Sequence, residues 1–294
     1  MNKNKIKAWR LIQKVDGIGN SRKFCTENGL ISALTTKNNY KYYISAYLDW
    51  RDFNGLPKNE QDKIQDLQNF LFEIAEFSAQ KTVDGHKSAL SKVFKKKLRK
   101  VKSEISTTIH SRNYYLSEIL LITKNITQMN ALSILICYYT GLRAHEVATL
   151  QRSNEAIKSN TRNWSDDRFI GISRFKIYLV TGKGGLIREV AIPNELVFLL
   201  EKRRRDTPLK VVDRGIYYVS NYDIGFGKAL SQSFSRASVK ELNWSTGLHG
   251  TRHSFAQNRL FKLTNIGVEY VHAMKIVSEE LGHFRPSITL CYLR

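Results

Sequence analysis

Cysteine is scarce and scattered in this chain: Cys25, Cys137 and Cys291 are the only three in 294 residues. An odd count cannot all pair within one chain, and none has the short spacing of metal ligands. This argues against a disulfide framework or a zinc site and for a reducing compartment. Long apolar runs are missing as well. No stretch approaches the roughly 18 apolar residues of a membrane span. The start, Met1-Asn2-Lys3-Asn4-Lys5, leads into amphipathic sequence rather than the apolar run of a signal peptide. A cytoplasmic protein with no membrane partner is expected. Acidic residues are short too, 26 against 47 Lys plus Arg, for a net charge of +21. Residues 1–110 hold 21 basic and 11 acidic side chains, and residues 111–294 hold 26 and 15. An excess carried by both halves exceeds what solubility needs and suggests a surface shaped around a polyanion.

What is present suffices for two folded domains. With 42% hydrophobic residues the chain can fill a core in each, and it has no internal repeat or low-complexity tract. Apolar residues recur at helical steps over residues 63–78, as Ile64, Leu67, Leu71 and Ile74. A second helix is expected over residues 88–105, with Leu90, Phe94, Leu98, Val101 and Ile105 on one stripe. Its other faces carry Lys92, Lys95, Lys96, Lys97, Arg99, Lys100 and Lys102, with no acidic residue until Glu104. Without acidic partners such a run reads as a DNA-backbone contact rather than a merely solvated face. The polar stretch 106–115 reads as a linker. Further helices are expected near 117–123, 129–139, 143–150, 193–204, 225–242 and 251–263. Gly141 should end the second of these. Residues 175–181 and 186–192, rich in β-branched side chains, flank Gly182-Lys183-Gly184-Gly185 and read as a hairpin. The fold class expected is mainly α with a small β-sheet: an all-α domain over residues 1–105 and an α+β domain over residues 116–294.

Chemistry concentrates in the second half. Arg143 follows Gly141-Leu142. His249-Gly250-Thr251-Arg252-His253 comes later, then Leu281-Gly282-His283, and Tyr292 lies nine residues beyond His283. A free tyrosine has a pKa of about 10, so it attacks a phosphodiester only where the phosphate is neutralised and its proton is helped away. Two arginines and a pair of histidines supply both. Each element alone is common; the order and spacing carry the inference.

The constellation resembles the tyrosine recombinase family, which includes phage integrases and chromosome-dimer resolving recombinases. The matching pieces are Thr140-Gly141-Leu142-Arg143 with Glu146, Gly182-Lys183-Gly184, Arg188-Glu189-Val190-Ala191-Ile192-Pro193, His249-x-x-Arg252-His253, Leu281-Gly282-His283 and Thr289-x-x-Tyr292. They cover residues 116–294; the helical first third matches the family's core-binding domain only loosely. The resemblance implies that Arg143 and Arg252 grip the scissile phosphate of double-stranded DNA and that Lys183 protonates the departing 5′ oxygen. It also implies that His249 and His283 hydrogen-bond the phosphate and that Glu146 orients Arg143. Tyr292 would form a 3′-phosphotyrosyl link whose conserved bond energy makes ATP, metal and other cofactors unnecessary. His145, His253 and Cys291 are taken as structural.

The resemblance further implies a site-specific recombinase that clamps DNA between its two domains, acts in the nucleoid and forms a homotetramer on paired sites. A monomeric type IB topoisomerase-like enzyme is one rival; a catalytically inactive DNA-binding protein of the same fold is another, opposed by the intact residue set. The 31 residues from Arg252 to His283 exceed the usual interval, and the extra length is expected within 260–277 as a longer helix or loop. Only Leu293 and Arg294 follow Tyr292. Subunit contacts are therefore expected from Leu260, Phe261, Leu263, Ile266 and Val268 rather than from a C-terminal helix.

Overall fold

The computed structural model describes residues 3–57, 62–105, 110–284 and 286–293, with the backbone alone at Lys183, Ser287 and Ile288. The chain divides into two units, Met1–Thr108 and Ile109–Arg294.

The described part of the first unit is helical: α1 (Lys3–Gln13), α2 (Arg22–Glu27), α3 (Leu34–Phe53), α4 (Ile64–Phe77) and α5 (Gln80–Phe94). Of the stripe expected on α4, Leu67, Leu71 and Ile74 are buried, joined by Phe70, while Ile64 at the helix start is exposed. These residues close around Tyr47 of α3, whose ring meets Phe70 edge-on at 5.4 Å and Phe94 at 5.5 Å. Its hydroxyl donates to Asp62 at 2.9 Å, so the buried ring keeps a partner for its polar end.

The helix expected over residues 88–105 is corrected. It stops at Phe94, and Lys95 takes the left-handed conformation at φ 54°. Leu98 and Val101 are buried as their spacing suggested, but from backbone outside any helix or strand. That backbone is held by side-chain amides: the Arg99 N–H donates to Gln68 Oε1 at 3.0 Å and the Ser103 N–H to Gln80 Oε1 at 2.8 Å. Lys95, Lys97, Arg99 and Lys100 are exposed along this segment, with Lys96 half-buried. Lys92 remains on α5, its ammonium donating to the Leu30 carbonyl at 3.2 Å. Residues 106–109 of the expected linker lie outside the described residues. The rest of it packs on the second unit: Tyr114 is buried, stacks on Trp244 at 4.8 Å and donates its N–H to Ser254 Oγ at 2.8 Å.

The second unit contains α6 (Leu116–Lys124), α7 (Gln128–Thr140), β1 (Gln151–Arg152), β2 (Phe175–Thr181) and β3 (Ile187–Pro193). The strands form one antiparallel sheet in the order β1-β2-β3, with Thr181 opposite Ile187 and Phe175 opposite Pro193. Tyr178, Val180, Val190 and Ile192 are buried in a core shared with α7, α8 (Asn194–Glu201) and α9 (Gly227–Leu242). The helix expected through residue 204 stops at Glu201. A second hairpin follows that sequence patterns did not indicate, β4 (Arg204–Asp213) with β5 (Ile216–Tyr222). Burial alternates along β5, but its exposed positions include Tyr217 and Val219 and one buried position is Ser220, so hydrophobicity does not follow that alternation.

A second core in this unit joins α10 (Gly250–Asn265), α11 (Tyr270–Glu280) and the terminal segment with α12 (Pro286–Thr289). The length expected as surplus forms the end of α10, a turn at Gly267 and the start of α11, which Glu269 caps by accepting the His272 N–H at 2.9 Å. Leu260 and Leu263 are buried in this core and Val268 is packed against it; Phe261 and Ile266 face solvent. The five-residue subunit contact expected from this segment is thus reduced to two outward side chains. The architecture is mainly α with small antiparallel sheets, as the sequence suggests. Among the described residues no helix is long and apolar enough to cross a membrane.

Candidate active site

The site begins where α7 ends. Gly141 sits at φ 65° and its N–H returns to the Cys137 carbonyl at 2.9 Å, a left-handed helix stop. A Cβ there would stand 2.6 Å from the Phe255 ring and 2.7 Å from Leu281, so only glycine fits. The turn sends Leu142 into the core and leaves Arg143 partly open to solvent. Glu146, two residues beyond Ala144, turns its carboxylate back on Arg143. One oxygen accepts the Arg143 N–H at 2.9 Å and the other accepts Nη1 at 2.8 Å. Glu146 is fully buried. Burial opposes its ionisation, but Arg188, Arg252 and Arg143 outweigh that and hold the carboxyl far below the usual carboxylate range.

Arg252 comes from the first turn of α10. Gly250 lets that helix start lie against the segment before α6: a Cβ would sit 2.4 Å from the Tyr114 ring and 2.5 Å from the Arg112 carbonyl. The Arg252 side chain is wholly buried and donates to the carbonyls of Gly141 and Leu281, the latter at 2.5 Å. It thereby satisfies carbonyls at the ends of α7 and α11 that have no partner further along their helices. Burial, then the Arg143 charge, bring this guanidinium down to about 10, so it stays charged at neutral pH.

His283 joins the two arginines. Its Nε2 lies 3.0 Å from Arg143 Nη2 and 3.0 Å from Arg252 Nη2. Guanidinium groups only donate, so Nε2 accepts and the ring is the neutral tautomer with its proton on Nδ1. Burial first, then the charges of Arg252 and Arg143, hold its pKa down to about 3. His249 stands more exposed at the start of α10. The protein packed behind its ring, then Arg252, bring it down to about 4.

Tyr292 lies on the short 3-10 turn Leu290–Tyr292 and is buried. Its ring stacks on His283 at 5.3 Å with an 18° interplanar angle and meets His253 at 4.9 Å and His249 at 5.6 Å. The Arg252 guanidinium carbon is 5.6 Å from the ring centre. Gln257 Nε2 donates to the Tyr292 carbonyl at 3.0 Å, tying the turn to α10.

Six residues singled out from sequence therefore meet in one place: Arg143, Glu146, His249, Arg252, His283 and Tyr292. His253, taken as structural, forms one wall against the Tyr292 ring. The seventh, Lys183, has its backbone in the turn Lys183–Gly185 at the β2–β3 tip; its side chain lies outside the described structure. The basic residues from Lys92 to Lys100 belong to the first unit. One site residue stood in the sequence only as the start of the matching piece Arg188–Pro193, with no role expected of it. Arg188 on β3 is buried and donates from Nη2 to Glu146 Oε2 at 2.9 Å and from Nε to the Glu280 carbonyl at 3.2 Å. Strand alternation was the available signal, since residue 188 shares its face with the buried Val190 and Ile192.

No protein-family model matches the chain, and no curated protein matches it by sequence. Solved structures do match. The XerH site-specific recombinase bound to difH substrate in a pre-cleavage complex aligns with a TM-score of 0.60 at 15% identity, over 99% of this chain and 92% of that one. A lambda integrase fragment, a dimer bound to a COC′ core site, aligns with a TM-score of 0.57 at 15% identity, over 98% and 95%. The Tn1549 transposon integrase in complex with circular intermediate DNA aligns with a TM-score of 0.55 at 16% identity, over 98% and 94%. The chain has the fold of the tyrosine recombinases, and the likeness runs through both units.

Proposed function

We propose that this protein is a site-specific DNA recombinase that cuts and rejoins DNA strands through Tyr292. The observation that carries the reading is the convergence of Arg143, Arg252 and His283, linked at 3.0 Å, beside the ring of Tyr292. In the cleavage step the Tyr292 oxygen attacks the scissile phosphorus, its proton leaving to a neighbouring base or solvent. The bond to the 5′ oxygen breaks, and that oxygen takes a proton from Lys183. Arg143 and Arg252 stabilise the charge developing on the non-bridging oxygens, while His249 and His283, neutral before DNA binds, hydrogen-bond the phosphate. The 3′-phosphotyrosyl product is then attacked by a 5′ hydroxyl from a second site, which rejoins the strand and frees Tyr292.

The partner is double-stranded DNA, contacted in the first unit by Lys92, Lys95, Lys96, Lys97, Arg99 and Lys100. The working assembly is a homotetramer on paired DNA sites; a lambda integrase tetramer bound to a Holliday junction, similar at a TM-score of 0.57 and 15% identity, supports this reading. A nicked suicide substrate should trap an adduct that resists denaturant and yields to protease, without added metal or ATP. Tyr292→Phe should abolish the adduct while DNA binding stays within about twofold, since one hydroxyl is removed. An adduct that persists in Tyr292→Phe would place the nucleophile elsewhere.

A further inference from the structure

Arg188 is a buried cation for which the steps above give no use. Its side chain is 1% exposed. It passes between two glycines whose missing side chains make its room. A Cβ on Gly182 would stand 3.4 Å from Arg188 Nη1 and 3.2 Å from Glu146 Oε1, and one on Gly282 would stand 3.1 Å from Arg188 Cδ. These glycines immediately precede Lys183 and His283. Arg188 is thus threaded between the backbones that carry two of the candidate reacting groups.

Its partners define what it does. Glu146 gives one oxygen to Arg143 Nη1 and the other to Arg188 Nη2. A buried carboxylate paired with Arg143 alone would cancel much of the charge that Arg143 must present to a phosphate. Arg252, Arg143 and Arg188 against the single Glu146 leave the cluster with two positive charges; without Arg188 it has one. The Arg188 fork also suits the place better than an ammonium, because Nε and Nη2 reach the Glu280 carbonyl and Glu146 in different directions at once.

We propose that Arg188 is a positioning residue for strand cleavage: it takes up the charge of Glu146, so that Arg143 keeps its own charge and orientation for the scissile phosphate, without Arg188 touching DNA. This rests on the strand-cleavage reading above.

The test compares single-turnover cleavage of two suicide substrates, one with an ordinary scissile phosphodiester and one with an uncharged methylphosphonate there. Arg188→Met should slow the phosphodiester on the order of 10- to 100-fold and the methylphosphonate by less than about threefold. Glu146→Gln combined with Arg188→Met restores the charge balance and should recover about tenfold or more of the lost rate. Equal slowing of both substrates, or a double variant slower than Arg188→Met, would reduce Arg188 to a packing role and overturn the proposal. Melting curves report whether each variant is folded. If Arg188→Met is not, Arg188→Lys and the double variant carry the test: both should keep the wild-type ratio of phosphodiester to methylphosphonate rates within about threefold, and a drop of about tenfold in either overturns the proposal. A wild-type protein that forms no adduct on the phosphodiester would refute the strand-cleavage reading itself, a separate outcome.

Discussion

Arg143 and Arg252 share a proposed task but not a setting, and the difference is measurable. Arg143 is partly solvent-exposed, and if it is removed Glu146 still has Arg188. Arg143→Ala should therefore slow cleavage by roughly 100- to 1,000-fold and shift stability by less than about 1 kcal/mol. Arg252 also satisfies the carbonyls of Gly141 and Leu281 from a fully buried position. Arg252→Ala should show a similar rate loss and in addition a destabilisation of about 2–4 kcal/mol, from two orphaned carbonyls. Single-turnover cleavage and urea denaturation of both variants check this, and equal stabilities would count against the capping role. The sequence made the open residue and the buried one equally legible, because both stand in short motifs. Arg188 also stands in a matching piece, Arg188–Pro193, but its role was not legible, because an arginine in a strand shows its partners only once its register is known.

At the scale of elements, Lys95 is where local chemistry and helical periodicity part. Leu90, Phe94, Leu98 and Val101 recur at helical steps, yet the chain turns left-handed at Lys95 and buries the last two from non-helical backbone. Lys95→Gly removes the penalty of a side chain at φ 54° and should stabilise the protein by about 0.5–1 kcal/mol in urea denaturation; a destabilised variant would mean that the lysine itself makes a needed contact. Apart from Lys92, which stays on α5, the basic cluster sits on that non-helical segment rather than on a helix face. Replacing Lys95, Lys96 and Lys97 together with alanine should leave helix content by circular dichroism unchanged. It should also lower the salt slope of DNA binding by up to roughly one unit per lost phosphate contact. An unchanged slope would return these lysines to simple solvation. Where burial is extensive, as in α4, α7, β2 and β3, sequence pattern located the element well. The β4–β5 hairpin escaped because its first strand begins Arg204-Arg205-Asp206 and its exposed positions carry Val212, Tyr217 and Val219, so hydrophobicity does not follow the alternating burial of β5.

At the scale of the whole molecule, each half carries about half of the net charge, +10 in residues 1–110 and +11 in residues 111–294, and each unit holds at least one histidine kept neutral by its surroundings. His86, buried in the first unit beside Tyr43 and Phe70, is brought down to about 4 by burial; His283 and His249 stand at about 3 and 4. In the unfolded chain these rings titrate near 6.5. As pH falls below about 6.5 the unfolded state takes up protons that the folded state refuses, so stability should be full above that pH and decline toward pH 4. DNA changes the balance for one of them. A backbone phosphate placed among Arg143, Arg252 and His283 offsets the arginine charges that help hold His283 down, so its pKa rises on binding. Binding should then take up protons between about pH 4 and 6.5, take up none at pH 8, and tighten as pH falls through that window. Calorimetric titration of DNA at pH 5.5 in two buffers of different ionisation enthalpy measures the uptake directly. His283→Gln should remove a large part of it, whereas His86→Phe, in the other unit, should leave it unchanged while flattening the loss of stability in acid. Identical heats in the two buffers at pH 5.5 would mean that no phosphate reaches His283, and the proposed placement of the scissile phosphate would fall with them.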